Sequence, residues 1–388
     1  MGLFKRIKAA DNGWLAFKDM VGGDTHAGVN VTQENSVNLP AVYRCVSLNA
    51  ETVASLPVDC MVKRDGKRKP FPDPQWVQKP NDFQDWGQFI SQAQVSLELD
   101  GNAFILKISD NRGRLAGLYV LNPTAVTVEK QDGVVYYRVN TDNGSPVYAP
   151  TAMVHLRGIT LPGAYRGLSP VAAAHQTIGM GLAAERFGAQ WFGSGATMSG
   201  VITTPNQLDP KTTEELRKQF QRKHGGVSKS HAIGVLSGGA QWVPLSVNAE
   251  ESQFLETRRY TDIQIATLFG VPPEFVTDAE GAKGYVTGLY ARQAMWLQTG
   301  INPRLLRIER ALTELLPGDA YFRFNRNAFL SMSPAERSEF YSSGLGGRWL
   351  TPNEVRELED RDAIPGGDEP LWSVQYQGAG YEPSGGQV

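Results

Sequence analysis

Two long helical stretches separated by a compact insert constrain this chain more than any other feature. Residues 169–196 open at Ser169-Pro170, an N-cap residue followed by proline in the first turn, and close at Gly193-Ser194-Gly195. Residues 249–269 carry the second helix; Gly270 is a natural left-handed stop and Pro272-Pro273 forbids continuation. Glycines at 179, 181 and 188 predict close approach of the first helix to a neighbour. Between the two, residues 199–246 read as a small α/β insert. It has a strand over 200–204, a charged helix from Asp209-Pro210 to His224, and strands over 231–236 and 241–245.

The flanking sequence predicts an α+β body. Residues 1–35 are mixed and glycine-containing, with a short basic amphipathic piece over 3–7, and read as a mobile arm. A helix opens at Pro40 and places Val42, Cys45, Val46, Asn49, Val53 and Leu56 at helical spacing. A strand over 58–62 meets a hairpin signal at Asp65-Gly66, prolines from 70 to 80 mark an irregular connection, and a helix covers 86–99. Five short β-rich runs then fill 103–157, punctuated by Asn111-Arg112-Gly113, Asp132-Gly133 and Asn143-Gly144, and read as an antiparallel meander. After the second long helix, residues 277–288 hold three glycines and no periodic apolar pattern, and read as a loop. A third long helix runs to about 316, with Ile301, Leu305, Ile308, Leu312 and Leu315 on one face and a kink expected at Pro303. A strand over 321–324, two short helices within 333–361 capped at Ser333-Pro334 and Thr351-Pro352, and a Gly/Pro/Ser-rich tail complete the chain.

No pattern of catalytic or cofactor chemistry emerges. There is no phosphate loop: Gly281-Ala282-Lys283-Gly284 lacks the hydroxyl residue and the preceding strand. A nucleophile elbow and an HExxH pair are also missing. His224 and His231 are separated by a glycine turn with no cysteine beside them, and the acidic cluster Glu357, Glu359, Asp360, Asp362 reads as a solvated helix face rather than a metal site. Catalytic, cofactor and metal residues are therefore assigned to none, although a spatial Ser/His/Asp site cannot be read from sequence. Cys45 and Cys60 are too few for a disulfide framework. A net charge of -2 over 388 residues is unlike a tightly gripping DNA-binding domain. The first residues lack a secretory apolar core and no apolar run is long enough to span a membrane, so a cytosolic origin is expected.

Several stretches, in order, resemble the portal proteins of lambdoid-type siphoviruses, the head–tail connectors of tailed bacteriophages. They are Ala41-Val42-Tyr43-Arg44-Cys45-Val46 leading to Ser55-Leu56-Pro57-Val58, then Lys79-Pro80-Asn81, Gly101-Asn102-Ala103-Phe104, Leu121-Asn122-Pro123, His155-Leu156 and Gly167-Leu168-Ser169-Pro170. The most specific run is Gln253-Phe254-Leu255-Glu256 with Arg258-Arg259, continuing to Phe269-Gly270-Val271-Pro272-Pro273. Leu350-Thr351-Pro352-Asn353-Glu354 and Pro365-Gly366-Gly367-Asp368 follow near the end.

The resemblance implies a portal fold: an arm at 1–35, a wing at 36–168 and 289–330, and stem helices at 169–198 and 247–275. A clip at 199–246, a tunnel loop at 276–288, a helical crown at 331–365 and a flexible tail at 366–388 complete it. It further implies a homo-oligomeric ring, a dodecamer, at one capsid vertex of the virion, with double-stranded DNA as passing cargo. Its partners would be the large terminase, the major capsid protein, the scaffold and a head–tail adaptor, with no enzymatic activity, cofactor or membrane. On this reading Asp278, Glu280, Lys283 and Tyr285 meet the DNA channel, and Glu250, Glu251, Glu256, Arg258 and Asp262 are its candidates on the stem. Lys211, Arg217, Lys218, Arg222 and Lys223 are candidates for clip docking. The competing readings are another virion structural protein, such as an adaptor or minor capsid protein, and a hydrolase with a non-local site.

Overall fold

A computed structural model describes residues 25–193, 200–203, 241–244, 248–277, 292–326, 334–359 and 361–370. The chain divides into one unit up to Phe324 and a second from Asn325 onward.

The first unit is organised around helix pairs. Helix α1 (Gln33–Ser36) is a single turn, and α2 (Pro40–Ala54) starts with Pro40 where its missing N–H costs nothing. Strands β1 (Val58–Arg64) and β2 (Lys67–Pro70) form a hairpin. Asp65 and Gly66 both take positive φ (52° and 74°), the two-residue turn that matches strand twist. Short helix α3 (Gln75–Gln78) follows within the stretch expected to be an irregular connection, and then α4 (Trp86–Asp100). The Asp85 carboxylate caps α4 by accepting from Gln88 N at 2.7 Å, and Gly101 closes it at φ 75°.

The β-rich region differs from the expected meander. Strands β3 (Asn102–Ser109) and β4 (Leu115–Leu121) pair first. The chain then builds a separate sheet from β5 (Val126–Gln131), β6 (Val134–Val139) and β7 (Val147–Tyr148), and returns as β8 (Met153–Arg157) along the free edge of β3. The reason lies in β3: Asn102, Ala103, Phe104 and Ile105 are buried in succession. Both faces of this strand are therefore covered, while β4 and β8 pair along its two edges. Phe104 packs with Val126, Tyr137, Val139 and Met153, which joins the two sheets.

The expected arm is also corrected over its described part. Val29 and Val31 are 4% exposed and join Leu39, Val42, Cys45, Val46, Ile178, Ile265, Ala266 and Phe269 in one core. Burial of apolar side chains fixes the chain from Thr25 onward. Residues 1–24 lie outside the described residues.

The expected helix over 169–196 is two pieces. Helix α5 (Pro170–Ala173) is capped by the Ser169 hydroxyl, which accepts from Ala172 N at 3.1 Å. Ala174 breaks the geometry, and α6 (His175–Gly193) continues. Of the insert, strands β9 (Gly200–Thr203) and β10 (Gln241–Pro244) are described and pair antiparallel, Gly200 opposite Pro244. The expected helix over 209–224 and strand over 231–236 lie outside the described residues.

Helix α7 (Asn248–Phe269) returns to the body and ends as anticipated. Gly270 sits at φ 66°, its N–H bonds Thr267 O at 3.1 Å and Val271 N–H bonds Ala266 O at 2.9 Å, a Schellman cap. The long helix after 291 contains a π-turn over Leu297–Ile301 immediately before α8 (Asn302–Thr313), which is where Pro303 was expected to disturb it. Ile301, Leu305, Ile308 and Leu312 are each 0–1% exposed. Strand β11 (Ala320–Phe324) then pairs with β1, Phe322 opposite Cys60.

In the second unit α9 (Pro334–Gly346) and α10 (Pro352–Leu358) are described. Thr351 caps α10 as the Thr351-Pro352 signal predicts, and Glu354 adds the return bond of a reciprocal capping box. No helix among the described residues is long and apolar enough to cross a membrane.

Candidate functional site

The site of interest is the α6–α7 pair and the base from which residues 278–291 depart. Gly181 of α6 is approached closely by Leu39, which precedes α2, and more loosely by Thr261 of α7. A Cβ there would lie 2.7 Å from Leu39 Cδ2 and 3.4 Å from Thr261 Cγ2, so the glycine expectation holds at this position. Across the pair, Arg258 meets Glu185 at 3.5 Å.

The candidate stem residues do not share one face. On the helical wheel of α7 the buried arc is Thr261, Ile265, Ala266 and Phe269. Asp262 falls inside that arc and is only partly exposed, and burial holds its carboxyl above the usual range against the opposing pull of Arg258. Arg258 is turned toward Glu185. Glu256 lies on the exposed side with Tyr260, Thr267 and Leu268. Glu250 and Glu251 stand in the first turn of α7, where only the backbone is described. Asp278, Glu280, Lys283 and Tyr285 lie outside the described residues, as do Lys211, Arg217, Lys218, Arg222 and Lys223.

The end of α7 is clamped by a buried polar cluster. Glu98, 4% exposed on α4, receives a two-pronged Arg304 guanidinium at 2.6 and 3.1 Å. The same guanidinium donates to the last α7 carbonyl, Phe269 O, at 2.9 Å and to Gly300 O in the π-turn at 2.7 Å. Asn49 of α2 donates to Phe269 O at 3.1 Å and to Glu98 at 3.3 Å, and Gln94 also donates to Glu98. A cation at a helix C-terminus meets the negative end of the helix dipole. Cys45 lies close to this cluster, and its thiol is pushed up to about 12, first by burial and then by Glu98.

A second set of contacts joins the two sides of the 278–291 segment. Arg44 Nε donates to Phe275 O at 3.2 Å, Phe275 meets Trp296 edge-on at 5.6 Å, and Glu274 pairs with Arg292. Residues 274–275 and 292–296 are therefore tied together, and the segment between them leaves and re-enters at one place.

Sequence reasoning missed Glu98 and Arg304. Their separation of 206 positions gives no local signal. Asn49 within an otherwise apolar stripe was the one available hint.

His155 and Glu359, outside this region, each find structural partners. His155 stacks on Phe104 at 4.2 Å, with Nε2 3.0 Å from Asn102 Oδ1 and Nδ1 3.4 Å from the Tyr137 hydroxyl. Because Asn102 Oδ1 is an acceptor, Nε2 carries the proton and Nδ1 accepts from Tyr137. Burial, then Arg157 and Arg166, bring its pKa down to about 3. In the second unit, Glu359 accepts from Tyr341 at 2.7 Å and Arg337 at 3.1 Å, and these bonds hold its carboxyl below the usual range. Among the described residues no group of His, Cys, Asp or Glu is arranged to hold a metal ion.

The chain belongs to the phage portal protein family, whose sequence profile matches residues 40–360. It is 31% identical over 366 residues to the probable portal protein of Streptomyces phage phiC31, covering 89% of this chain and 80% of that one. It is 25% identical over 359 residues to the portal protein of Enterobacteria phage HK97, covering 89% and 84%. Its fold matches a chain in the neck of a native gene transfer agent particle computed with C12 symmetry, at TM-score 0.58 and 21% identity, over 84% of this chain and 91% of that one.

Proposed function

We propose that this chain is the ring subunit of a capsid vertex through which double-stranded DNA is packaged and ejected. The observation that carries the reading is the α6–insert–α7 arrangement with a segment held at both ends beside it, in a chain of the portal family. The C12 symmetry of the related neck supports twelve copies. The role is structural: no chemical step is assigned to any residue, and the packaging motor supplies the energy.

DNA carries roughly one charge per 1.7 Å of axis, so every cation that grips a phosphate adds affinity and slows sliding. A net charge of -2 and an Arg258 already turned to Glu185 favour weak, sequence-independent contact. We assign the DNA path to α7 and residues 276–288, and protein docking to 199–246, where terminase during packaging and an adaptor afterwards would meet Lys211, Arg217, Lys218, Arg222 and Lys223. The major capsid protein and scaffold are the expected partners around the ring, and the virion is its location.

Deleting 278–286 tests the assignment. Ring assembly is expected to survive, because the contacts among Arg44, Glu274, Phe275, Arg292 and Trp296 lie outside the deletion, while packaging or DNA retention fails. Normal packaging and retention in the variant would contradict the DNA-path assignment.

A further inference from the structure

Two neighbouring depressions in the first unit share Gln33 and Glu34. The larger, of about 620 Å³, has apolar walls that include Val31, Leu161, Ala164, Leu168 and Val171. The smaller, of about 380 Å³, is walled by Val37, Val95, Leu99, Leu121 and Pro123. The rim loop leaves Ile159 75% exposed. Together they form an apolar groove large enough for several side chains.

Its charges already have partners, with one exception. Asp100 accepts from Gln33 at 2.6 Å, Arg166 at 2.7 Å and Asn102 at 2.7 Å. Arg166 is further used by Pro123 O, Val126 O and the face of Phe104. Glu34, exposed between the two depressions, has no ion pair among the described residues. A fitting occupant therefore presents apolar side chains interleaved with cations.

The sequence contains such a segment close by. Residues 3–8 read Leu3-Phe4-Lys5-Arg6-Ile7-Lys8, three apolar and three cationic. The described chain begins at Thr25 and itself forms the groove wall at Asn30–Glu34. The sixteen residues from 9 to 24 can span up to about 55 Å, ample for a return to the groove. Tethering gives a segment on the same chain an effective concentration in the millimolar range, ahead of the same segment on another copy.

We propose that this groove seats residues 3–8 of the same chain, with Phe4 in the larger depression and Lys5 and Arg6 against Glu34. The proposal does not rest on the ring reading. Paired substitutions that keep Phe4 test it: Leu3→Cys with Ala164→Cys, and Leu3→Cys with Ala172→Cys, under mild oxidation. The native Cys45 and Cys60 are 0% and 2% exposed with thiols pushed up to about 12, so they do not compete. A bridge within one chain is the expected result in at least one pair; bridges only between chains, or none in either pair, would overturn the proposal. Trypsin gives a second readout that leaves the body intact. Cleavage at Lys5, Arg6 and Lys8 of the native chain is expected to run about tenfold slower than in Phe4→Asp, since cleavage follows the open fraction. Equal rates would also overturn it.

Discussion

At the scale of single residues, Glu98 has the largest consequence. It is buried, charged and shared by Arg304, Asn49 and Gln94. Removing it leaves the Arg304 guanidinium with carbonyl partners but no counter-charge in a low-dielectric site. Glu98→Ala is therefore expected to cost about 3–5 kcal/mol in urea unfolding, the range for breaking a buried pair. Gly270 makes a contrasting case. A Cβ there has room, its nearest neighbour being Arg304 Nη1 at 3.9 Å, so Gly270→Ala is strained only by the positive φ. The expected loss is about 1–2 kcal/mol. His155 gives a pH dependence. Its pKa is about 3 when folded, against 6.5 for a free imidazole, so below pH 6.5 the unfolded chain takes up a proton that the folded one refuses. Stability is expected to fall as pH drops from 6.5 toward 3, by as much as about 4 kcal/mol, and His155→Gln should remove most of that slope in urea midpoints measured across the range. An unchanged slope would contradict the buried, neutral imidazole.

At the scale of elements, what could be read in advance was local. The Asp65-Gly66 and Asp132-Gly133 turns, the Ser169 cap, the Gly270 stop and the Thr351 capping box each need only a few consecutive residues, and each forms. The split of the β region into two sheets was not legible, because it depends on β8 returning to β3 across a whole second sheet. Burial of Val29 and Val31 was hidden for the same reason: their partners lie on α2, α6 and α7. Helix α7 shows both sides. Its limits follow from sequence, but the face each charged residue occupies depends on what packs against it, and Asp262 is drawn into the buried arc. Since burial raises the Asp262 pKa above 3.8, its charged form destabilises the fold, and stability declines as pH rises through the raised value. Asp262→Asn is expected to raise the melting temperature at neutral pH, with the advantage vanishing as pH falls toward 3.8. No advantage at neutral pH would mean that Asp262 is solvated.

At the scale of the whole molecule, the first unit joins its beginning and end through β1 and β11, and the clamp at Phe269 O connects α2, α4, α7 and α8 in one polar cluster. Helices α6 and α7 lead from this body to the 199–246 insert, and residues 278–291 leave from it close to the clamp. That arrangement fits the proposed DNA path along α7 and residues 276–288. The exposed Phe187 on α6 and Tyr260 and Leu268 on α7, 53%, 60% and 38% exposed, are apolar surface that a neighbouring copy would cover. Ring formation can be read by electron microscopy of the purified full chain, classified without imposed symmetry. Closed rings of about twelve subunits around an open channel are expected, the count that the related neck's symmetry suggests. A chain that remains monomeric at the highest concentration reached would contradict ring formation.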